Sequence, residues 1–183
     1  MTSDLSPVDL LICDGLSVNA SAPIDSARMG RDNSEENPMT IHRMDHVGIV
    51  VEDLAAAVAF FLELGLELEG EAQVGGPWAD ELLGLAGVRA DIAVVRTPDG
   101  NGRVELSTFR SPTTTSTAPR AAVNTPGIPR LTFVADDIED LVGRLRPHGA
   151  ELVGTVARYE DIYRYCYIRG PEGILIGLVE ELR

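Results

Sequence analysis

The sequence predicts an α+β protein built from two tandem βαβββ modules. The first observation behind this prediction is an internal repeat. The sequence pattern that begins at His46 recurs 84 positions later, at Arg130. The offset pairs Val50 with Val134, Asp53 with Asp137 and Gly65 with Gly149, and six of 24 aligned positions are identical. The second is that each copy changes from strand-like to helix-like periodicity. Repeats of this kind typically mark duplicated supersecondary units.

The first module opens with a strand and an amphipathic helix. Residues 45–51 are mostly β-branched and apolar, which favours a strand. A helical stripe follows, formed by Leu54, Ala57, Val58, Phe61 and Leu62. Asp53 stands where a helix N-cap belongs and Gly65 where a helix ends, so we expect about three turns of helix.

Three strands are expected after this helix. They are residues 66–74, 91–96 and 103–107, the last two flanking the hairpin turn of residues 97–102. The segment 75–88 interrupts them and contains Trp78, so we expect a lid or a short helix there, with Trp78 as a lid aromatic that contacts substrate.

The second module repeats this order. A strand from Arg130 precedes a helix whose stripe is Ile138, Leu141, Val142 and Leu145. The following strands are predicted at 151–156, 164–169 and 174–180.

The predicted domain organisation has four parts. Residues 41–110 form the first module and 130–183 the second, together one structural domain, with a Thr-, Ser- and Pro-rich linker at 111–129. Residues 1–40 carry a net charge of −5 and show no sustained periodicity, which predicts a disordered extension.

Composition excludes several functions. The chain of 183 residues has a net charge of −14, and all fifteen basic residues are Arg. Without Lys, a Schiff-base lysine and a GK[ST] phosphate loop are impossible. The acidic balance makes nucleic acid and anionic membranes poor partners. No apolar run is long enough to span a bilayer, no secretory signal is visible, and Cys13 and Cys166 show no metal-type spacing, so we expect a cytoplasmic protein.

Four strings in order carry a family resemblance: DHVGIVVEDL, PDGNGRVEL, RLTFVADDI and YIRGPEGILIGLVE. Across residues 43–181 the chain resembles the vicinal oxygen chelate superfamily, which includes glyoxalase I, methylmalonyl-CoA epimerase, extradiol dioxygenases and bleomycin-binding proteins. The resemblance implies a cupped mixed β-sheet around one site for a small molecule. It also implies a homodimer, since such modules commonly pair edge to edge.

The resemblance further implies four metal ligands, two from each module. His46 and Glu105 match the first pair and suit Zn, Ni, Co, Mn or Fe(II). The second module departs from the pattern, because Arg130 and Gly177 stand where a His and a Glu are expected. Glu180 has the wrong strand parity to replace Gly177, and Glu181 lies too far along the strand.

Three interpretations of this half-set remain open. In the first, His46 and Glu105 hold a metal loosely together with water and a bidentate substrate. In the second, two chains pair their first modules, so that His46 and Glu105 are supplied twice to one metal site. Alternatively the site has no metal, and Arg130 binds a substrate carboxylate, phosphate or enolate oxygen unless it forms a structural salt bridge. Tyr163, Tyr165 and Tyr167 share one strand face, where they line the cup or pack against the second helix.

The leading hypothesis is an enzyme of the lyase or isomerase type. A cation polarises a carbonyl group and a carboxylate moves the adjacent proton, with His46 as a metal ligand and Glu105 as ligand or base. A ring-cleaving dioxygenase is disfavoured because the second His is missing. The alternatives are a metal-free protein that sequesters a drug-like ligand and a metal-independent biosynthetic enzyme.

Overall fold

A computed structural model of the chain describes residues 44–113, 124, 127 and 130–182. The first module contains β1 (Val47–Val50), α1 (Leu54–Leu64), β2 (Glu67–Gly75), α2 (Pro77–Leu83), β3 (Arg89–Arg96) and β4 (Arg103–Ser111). The second contains β5 (Arg130–Val134), α3 (Ile138–Leu145), β6 (Glu151–Tyr159), β7 (Tyr163–Arg169) and β8 (Leu175–Glu181), with short 3-10 turns at Arg146–His148 and Pro171–Gly173. The predicted N-terminal extension and most of the predicted linker lie outside the described residues.

Both modules have the same topology. The strand orders are β1-β4-β3-β2 and β5-β8-β7-β6. In each sheet the first and last strands of the module are parallel and the other neighbours antiparallel. The predicted α+β fold of two tandem βαβββ modules is therefore confirmed. The segment with Trp78 is a short helix, α2, between β2 and β3.

The ends of α1 and α3 follow from local chemistry. The carboxylate of Asp53 accepts a hydrogen bond from the Ala56 amide at 2.9 Å, and Asp137 does the same for Asp140. These bonds satisfy first-turn amides that have no partner within the helix. At the other end of α1, Gly65 has φ 109°, a left-handed conformation that favours glycine.

The buried face of α1 differs from the predicted stripe. Leu62 is 42% exposed, so its expected place in the core is wrong, whereas Phe60 is fully buried. Phe60 packs edge-on against Phe61 and closely against Gly170, where an added Cβ would lie 2.9 Å from the Phe60 ring. Because the second module covers this additional side of the helix, the apolar face is wider than one helical stripe predicts.

One apolar core joins the two modules. It lies between α1, α3 and the sheet faces turned toward them, and among its most buried members are Val51, Phe61, Leu106, Ile138, Leu145, Ile168 and Leu178. At the edge of this core the Glu172 carboxylate accepts from the Glu52 amide at 2.9 Å, and Arg144 pairs with Glu63.

A smaller apolar cluster lies on the other face of the first sheet. Its buried members are Val74, Ala79, Val88, Ile92 and Val94. Ala79 belongs to α2, so this helix packs on the face that points away from α1. No helix among the described residues has the length and apolar character to cross a membrane.

Candidate functional site

The site residues lie on the sheet faces turned away from α1 and α3, which we term the site faces. Side chains alternate along a strand, and Val104 and Leu106 are buried in the main core. Glu105, between them, therefore projects from the site face of β4. Its register partners are Gly48 on β1 and Val94 on β3.

The structure brings His46 and Glu105 together. His46 Nε2 lies 3.9 Å from Glu105 Oε2. On the other side of the ring, His46 Nδ1 lies 3.0 Å from the carboxylate of Asp45. Asp45 was not among the predicted site residues, although its place beside His46, just before β1, is visible in the sequence. The three groups form a chain of carboxylate, imidazole and carboxylate.

Glu105 is the less solvated end of this chain. Its side chain is only 14% exposed, and Oε2 is buried without a hydrogen-bond partner among the described residues. Burial raises the pKa of the Glu105 carboxyl, an effect that the nearby His46 partly opposes. A carboxylate that lacks solvation and keeps a free lone pair is able to accept a proton or to bind a cation.

The first-module pair fits half of a metal site. The Asp45 contact favours the tautomer that carries its proton on Nδ1, which leaves the Nε2 lone pair directed toward Glu105. Two donors about 2.1 Å from one ion lie roughly 3–3.5 Å apart, so the observed 3.9 Å needs only a small closure. Two protein ligands still fall short of the three or four that Zn²⁺ takes.

The second module adds no ligand at the expected positions. Arg130 has no lone pair to donate. Its Nη1 donates to the Tyr167 hydroxyl at 3.1 Å, and its guanidinium carbon lies 5.5 Å from the centre of the Tyr167 ring. Within the described part of the chain, Arg130 has no carboxylate partner, so the expected alternative of a structural salt bridge is not found there.

Gly177 is enclosed by polar side chains of the site face. An added Cβ would lie 2.8 Å from Thr132 Oγ1 and 3.1 Å from Tyr165 Cζ, and closer still to the Tyr165 hydroxyl. These two oxygens are 3.4 Å apart. The Tyr165 hydroxyl thus fills the space in which a carboxylate ligand at position 177 would begin.

The three tyrosines project from the site face of β7. Cys166 and Ile168, which alternate with them, are buried in the main core beneath α3. The interpretation that the tyrosines pack against the second helix is therefore wrong. Tyr165 and Tyr167 are in edge-to-face contact at 5.0 Å, and burial is the main cause that raises the pKa of Tyr165. Thr132, which completes this cluster, was not predicted, although its parity with Arg130 is visible in the sequence.

An acidic group elsewhere resembles a metal site, but two of its three carboxylates already contact an arginine. Ligand atoms of Asp137, Glu139 and Glu180 lie within 4.8 Å of one another. Arg164 pairs with Glu139 and lies 3.3 Å from Glu180, which also accepts from the Ile138 amide at 2.9 Å. This group therefore stabilises the start of α3.

Trp78 and the pocket of the first module lie beside α2. Trp78 is 42% exposed, as are Leu82, Leu83 and Leu85 to similar or greater extents. A groove of about 900 Å³ runs between α2 and the ends of β2, β3 and β4, and we term it the α2 groove. Neither His46 nor Glu105 lines it.

Comparisons with known proteins agree with this architecture. Residues 45–167 match the family described as the glyoxalase/bleomycin resistance protein/dioxygenase superfamily. A solved glyoxalase family protein from Bacillus cereus is 52% identical, with a TM-score of 0.76 over 80% of this chain and 99% of that one. A search of curated proteins gives no match.

Two more distant structures share the fold. A glyoxylase/bleomycin resistance protein/dioxygenase domain from Frankia is 16% identical, with a TM-score of 0.53 over 78% of this chain and 99% of that one. A mutant of glyoxalase I from Zea mays is 17% identical, with a TM-score of 0.56. This alignment covers 77% of the chain and 46% of the maize protein, so it supports the fold only.

Proposed function

The chain belongs to the glyoxalase/bleomycin resistance protein/dioxygenase superfamily, and from this premise we propose that it is a small-molecule enzyme of the lyase or isomerase type. Glu105 moves a proton at a carbon next to a carbonyl group of the substrate. The observation that carries the proposal is the buried, unpartnered Oε2 of Glu105, 3.9 Å from His46 Nε2.

Glu105 is suited to this step by its surroundings. Burial raises its pKa, so its carboxylate is a stronger base than an exposed glutamate. The carboxylate takes up the proton that leaves the carbon, and the electron pair of the broken C–H bond moves onto the carbonyl oxygen as an enolate. The proton is then returned to the neighbouring carbon, or it exchanges with solvent and is returned to the same carbon. Asp45 fixes the His46 ring and so keeps Nε2 directed toward this carboxylate.

His46 and Glu105 would hold a divalent metal with an incomplete set of protein ligands, and water or two substrate oxygens would complete it. When bound, such an ion polarises a carbonyl oxygen and makes the adjacent C–H bond more acidic.

Arg130 provides a second positive charge. Its hydrogen bond to Tyr167 and its position over the ring fix the guanidinium, while its other N–H groups remain able to donate. We propose that it binds an anionic oxygen of the substrate, with Tyr163, Tyr165 and Tyr167 lining the same surface. We also propose Trp78 as a lid residue that contacts substrate, because α2, the helix that carries it, packs on the site face of the first sheet.

The proposal is tested by hydrogen exchange at carbon. Thiohemiacetals of 2-oxoaldehydes and acyl-CoA thioesters are incubated in D₂O with the protein and Zn, Ni, Co, Mn or Fe(II), and loss of the C–H signal is followed by NMR. We expect Glu105→Gln to slow exchange about 10²- to 10⁴-fold, and His46→Ala to slow it and to lower metal content. Glu71→Gln, an exposed change on β2 away from the site face, is the matched control.

Absence of exchange by the wild type with every metal would refute the enzymatic proposal for these substrates. The metal stoichiometry also distinguishes two arrangements. About one ion per chain supports a site within one chain, and half an ion per chain in a dimer supports pairing of two first modules.

A metal-free ligand-binding protein is the second candidate. It is favoured by one observation, which is that the Tyr165 hydroxyl fills the space beside Gly177. The second module therefore has an aromatic surface and no metal-ligating side chain at this position. Saturable binding of an aromatic drug-like ligand in the presence of chelator, unaffected by His46→Ala and weakened by Tyr167→Ala, would favour this candidate over the enzyme.

A further inference from the structure

The strand pairing places Ser107 next to Glu105 on the site face of the first sheet. Ser107 follows Glu105 by two positions on β4, so both side chains project from the same face and their Cα atoms are about 6.6 Å apart. The register partners of Ser107 are Val50 on β1 and Ile92 on β3, and Ile92 belongs to the apolar cluster of this face. Ser107 is therefore a near neighbour of the group that we propose as the base.

The hydroxyl of Ser107 is buried without a partner. The residue is 8% exposed, and it is the only buried polar residue among those that the structure describes. Its hydroxyl forms no hydrogen bond within the described part of the chain. Burial of an unpaired hydroxyl lowers stability, so a hydroxyl in this state requires a reason.

This hydroxyl is still accessible to a small ligand. Within the described ranges, the side-chain atoms that are fully enclosed and unpaired are Arg96 Nε and Glu105 Oε2, and Ser107 Oγ is not one of them. The surface beside it is open, because a Cβ added to Gly48, the register partner of Glu105 on β1, meets nothing within 4 Å. Val50, the next residue along the same face of β1, is 50% exposed. The missing side chain at position 48 thus leaves room for a substrate atom beside Glu105.

We propose that Ser107 binds the carbonyl oxygen of the substrate whose adjacent carbon Glu105 deprotonates. This role of Ser107 rests on the proposed function and identifies the group that holds the reacting oxygen. When the C–H bond breaks, its proton goes to Glu105 and its electron pair moves onto the carbonyl oxygen as an enolate. The Ser107 hydroxyl keeps its proton and donates a hydrogen bond, which strengthens as the oxygen gains charge. The enolate reverts to the carbonyl when the proton returns to carbon.

The spacing of the two residues suits such a substrate. A hydrogen bond from Ser107 spans about 2.8 Å, and a carbonyl oxygen lies about 2.4 Å from the carbon next to its own. A reacting carbon lies about 3–3.5 Å from its base. In a bent arrangement these three lengths bridge two side chains that leave the sheet about 6.6 Å apart. Because the free space is that of one missing side chain at Gly48, we expect a substrate with small groups on the reacting carbon.

Two ligands that differ in one oxygen test this role. S-propionyl-N-acetylcysteamine has the carbonyl group, and S-propyl-N-acetylcysteamine has a methylene group in its place. Both are uncharged, so a chain of net charge −14 does not repel them. Binding to the full-length protein is measured by NMR titration. We expect the wild type to bind the carbonyl ligand about three- to tenfold more tightly, and Ser107→Ala to bind both ligands equally.

Three variants separate this role from a structural one. Ser107→Ala is expected to be at least as stable in urea as the wild type, because it removes an unpaired hydroxyl, and to slow deuterium exchange next to the carbonyl about 10²-fold. Gly48→Val is expected to weaken both ligands alike, since its side chain fills the open space. Ser111→Ala, the same change at the end of β4, is the matched control and leaves the preference for the carbonyl ligand unchanged.

Glu105→Gln distinguishes failure of this role from failure of the proposed function. This variant is expected to lose exchange and to keep the preference for the carbonyl ligand. A wild type with the preference and without exchange would refute the proton transfer and support the Ser107 contact. Equal or absent binding of the two ligands by the wild type, an unchanged preference in Ser107→Ala, or a loss of stability in that variant overturns the role of Ser107.

Discussion

Replacing Gly177 by alanine tests why the second module lacks a ligand at this position. The new Cβ would lie 2.8 Å from Thr132 Oγ1 and 3.1 Å from Tyr165 Cζ, closer than such atoms normally approach. Tyr165 cannot move freely, because it is in edge-to-face contact with Tyr167, which also binds Arg130. We therefore expect Gly177→Ala to disturb the whole polar cluster.

The expected cost follows from the size of the clash. Inserting one methyl group into a well-packed site typically costs about 1–3 kcal/mol. For a chain of this length that corresponds to a fall in Tm of about 2–4 °C per kcal/mol. Tyr165→Phe removes the closest atom, the hydroxyl, and loses its long 3.4 Å contact with Thr132 and its polar interaction with Tyr167. The double variant is therefore expected to recover about 1 kcal/mol or more of the loss.

The assay is urea denaturation of the wild type, both single variants and the double variant. Gly143→Ala is the matched control, because Gly143 is exposed on α3, a Cβ there meets nothing within 4 Å, and alanine favours a helix. The reasoning is refuted if Gly177→Ala is as stable as the wild type. If the changes in the free energy of unfolding caused by Gly177→Ala and Tyr165→Phe simply add in the double variant, Tyr165 does not restrict position 177.

Three further predictions concern stability and dynamics. Because burial raises the pKa of Glu105, the folded state is favoured while this carboxyl is protonated and loses that stability as the pH rises through the raised pKa, so the stability gained by Glu105→Gln is expected to grow as the pH rises above the ordinary range of a glutamate. A gain independent of pH would contradict this. Asp80→Asn is expected to speed amide exchange within residues 77–88, and unchanged exchange would show that its two backbone bonds do not hold the loop. In chemical denaturation Phe60→Ala is expected to lower the free energy of unfolding by about 3–5 kcal/mol, and Leu62→Ala by less than about 1 kcal/mol. Equal losses would support the buried face that the single helical stripe predicts.

Features that depend on nearby residues could be predicted from the sequence. Asp53 and Asp137 cap their helices through amides three positions later, and the repeat of 84 positions predicts that both modules share one topology. The position of Phe60 could not be found in this way. Its second contact is Gly170, in the other module, and a helical stripe contains no information about such a partner.

The sequence is equally uninformative about contacts between distant residues at the candidate site. The absence of a carboxylate at Gly177 is visible in the sequence, but the close approach of Tyr165 from the neighbouring strand is not. The α2 groove was not predicted, because it is assembled from the ends of three strands and the loop after α2. Sequence periodicity shows which side of each strand faces the core, whereas it does not show which strand ends enclose a cavity.

The two modules have the same scaffold and different site chemistry. The first carries an imidazole and a carboxylate, which have lone pairs, and the second carries a guanidinium and phenols around a glycine. Restoring a four-ligand site would require ligands at positions 130 and 177 and also a displacement of the Tyr165 side chain, because a Cβ at position 177 meets the Tyr165 hydroxyl in the present arrangement. The loss of ligands is thus part of the packing of the second module. Under the proposed function, the first module would transfer the proton and the second would bind the anionic part of the substrate.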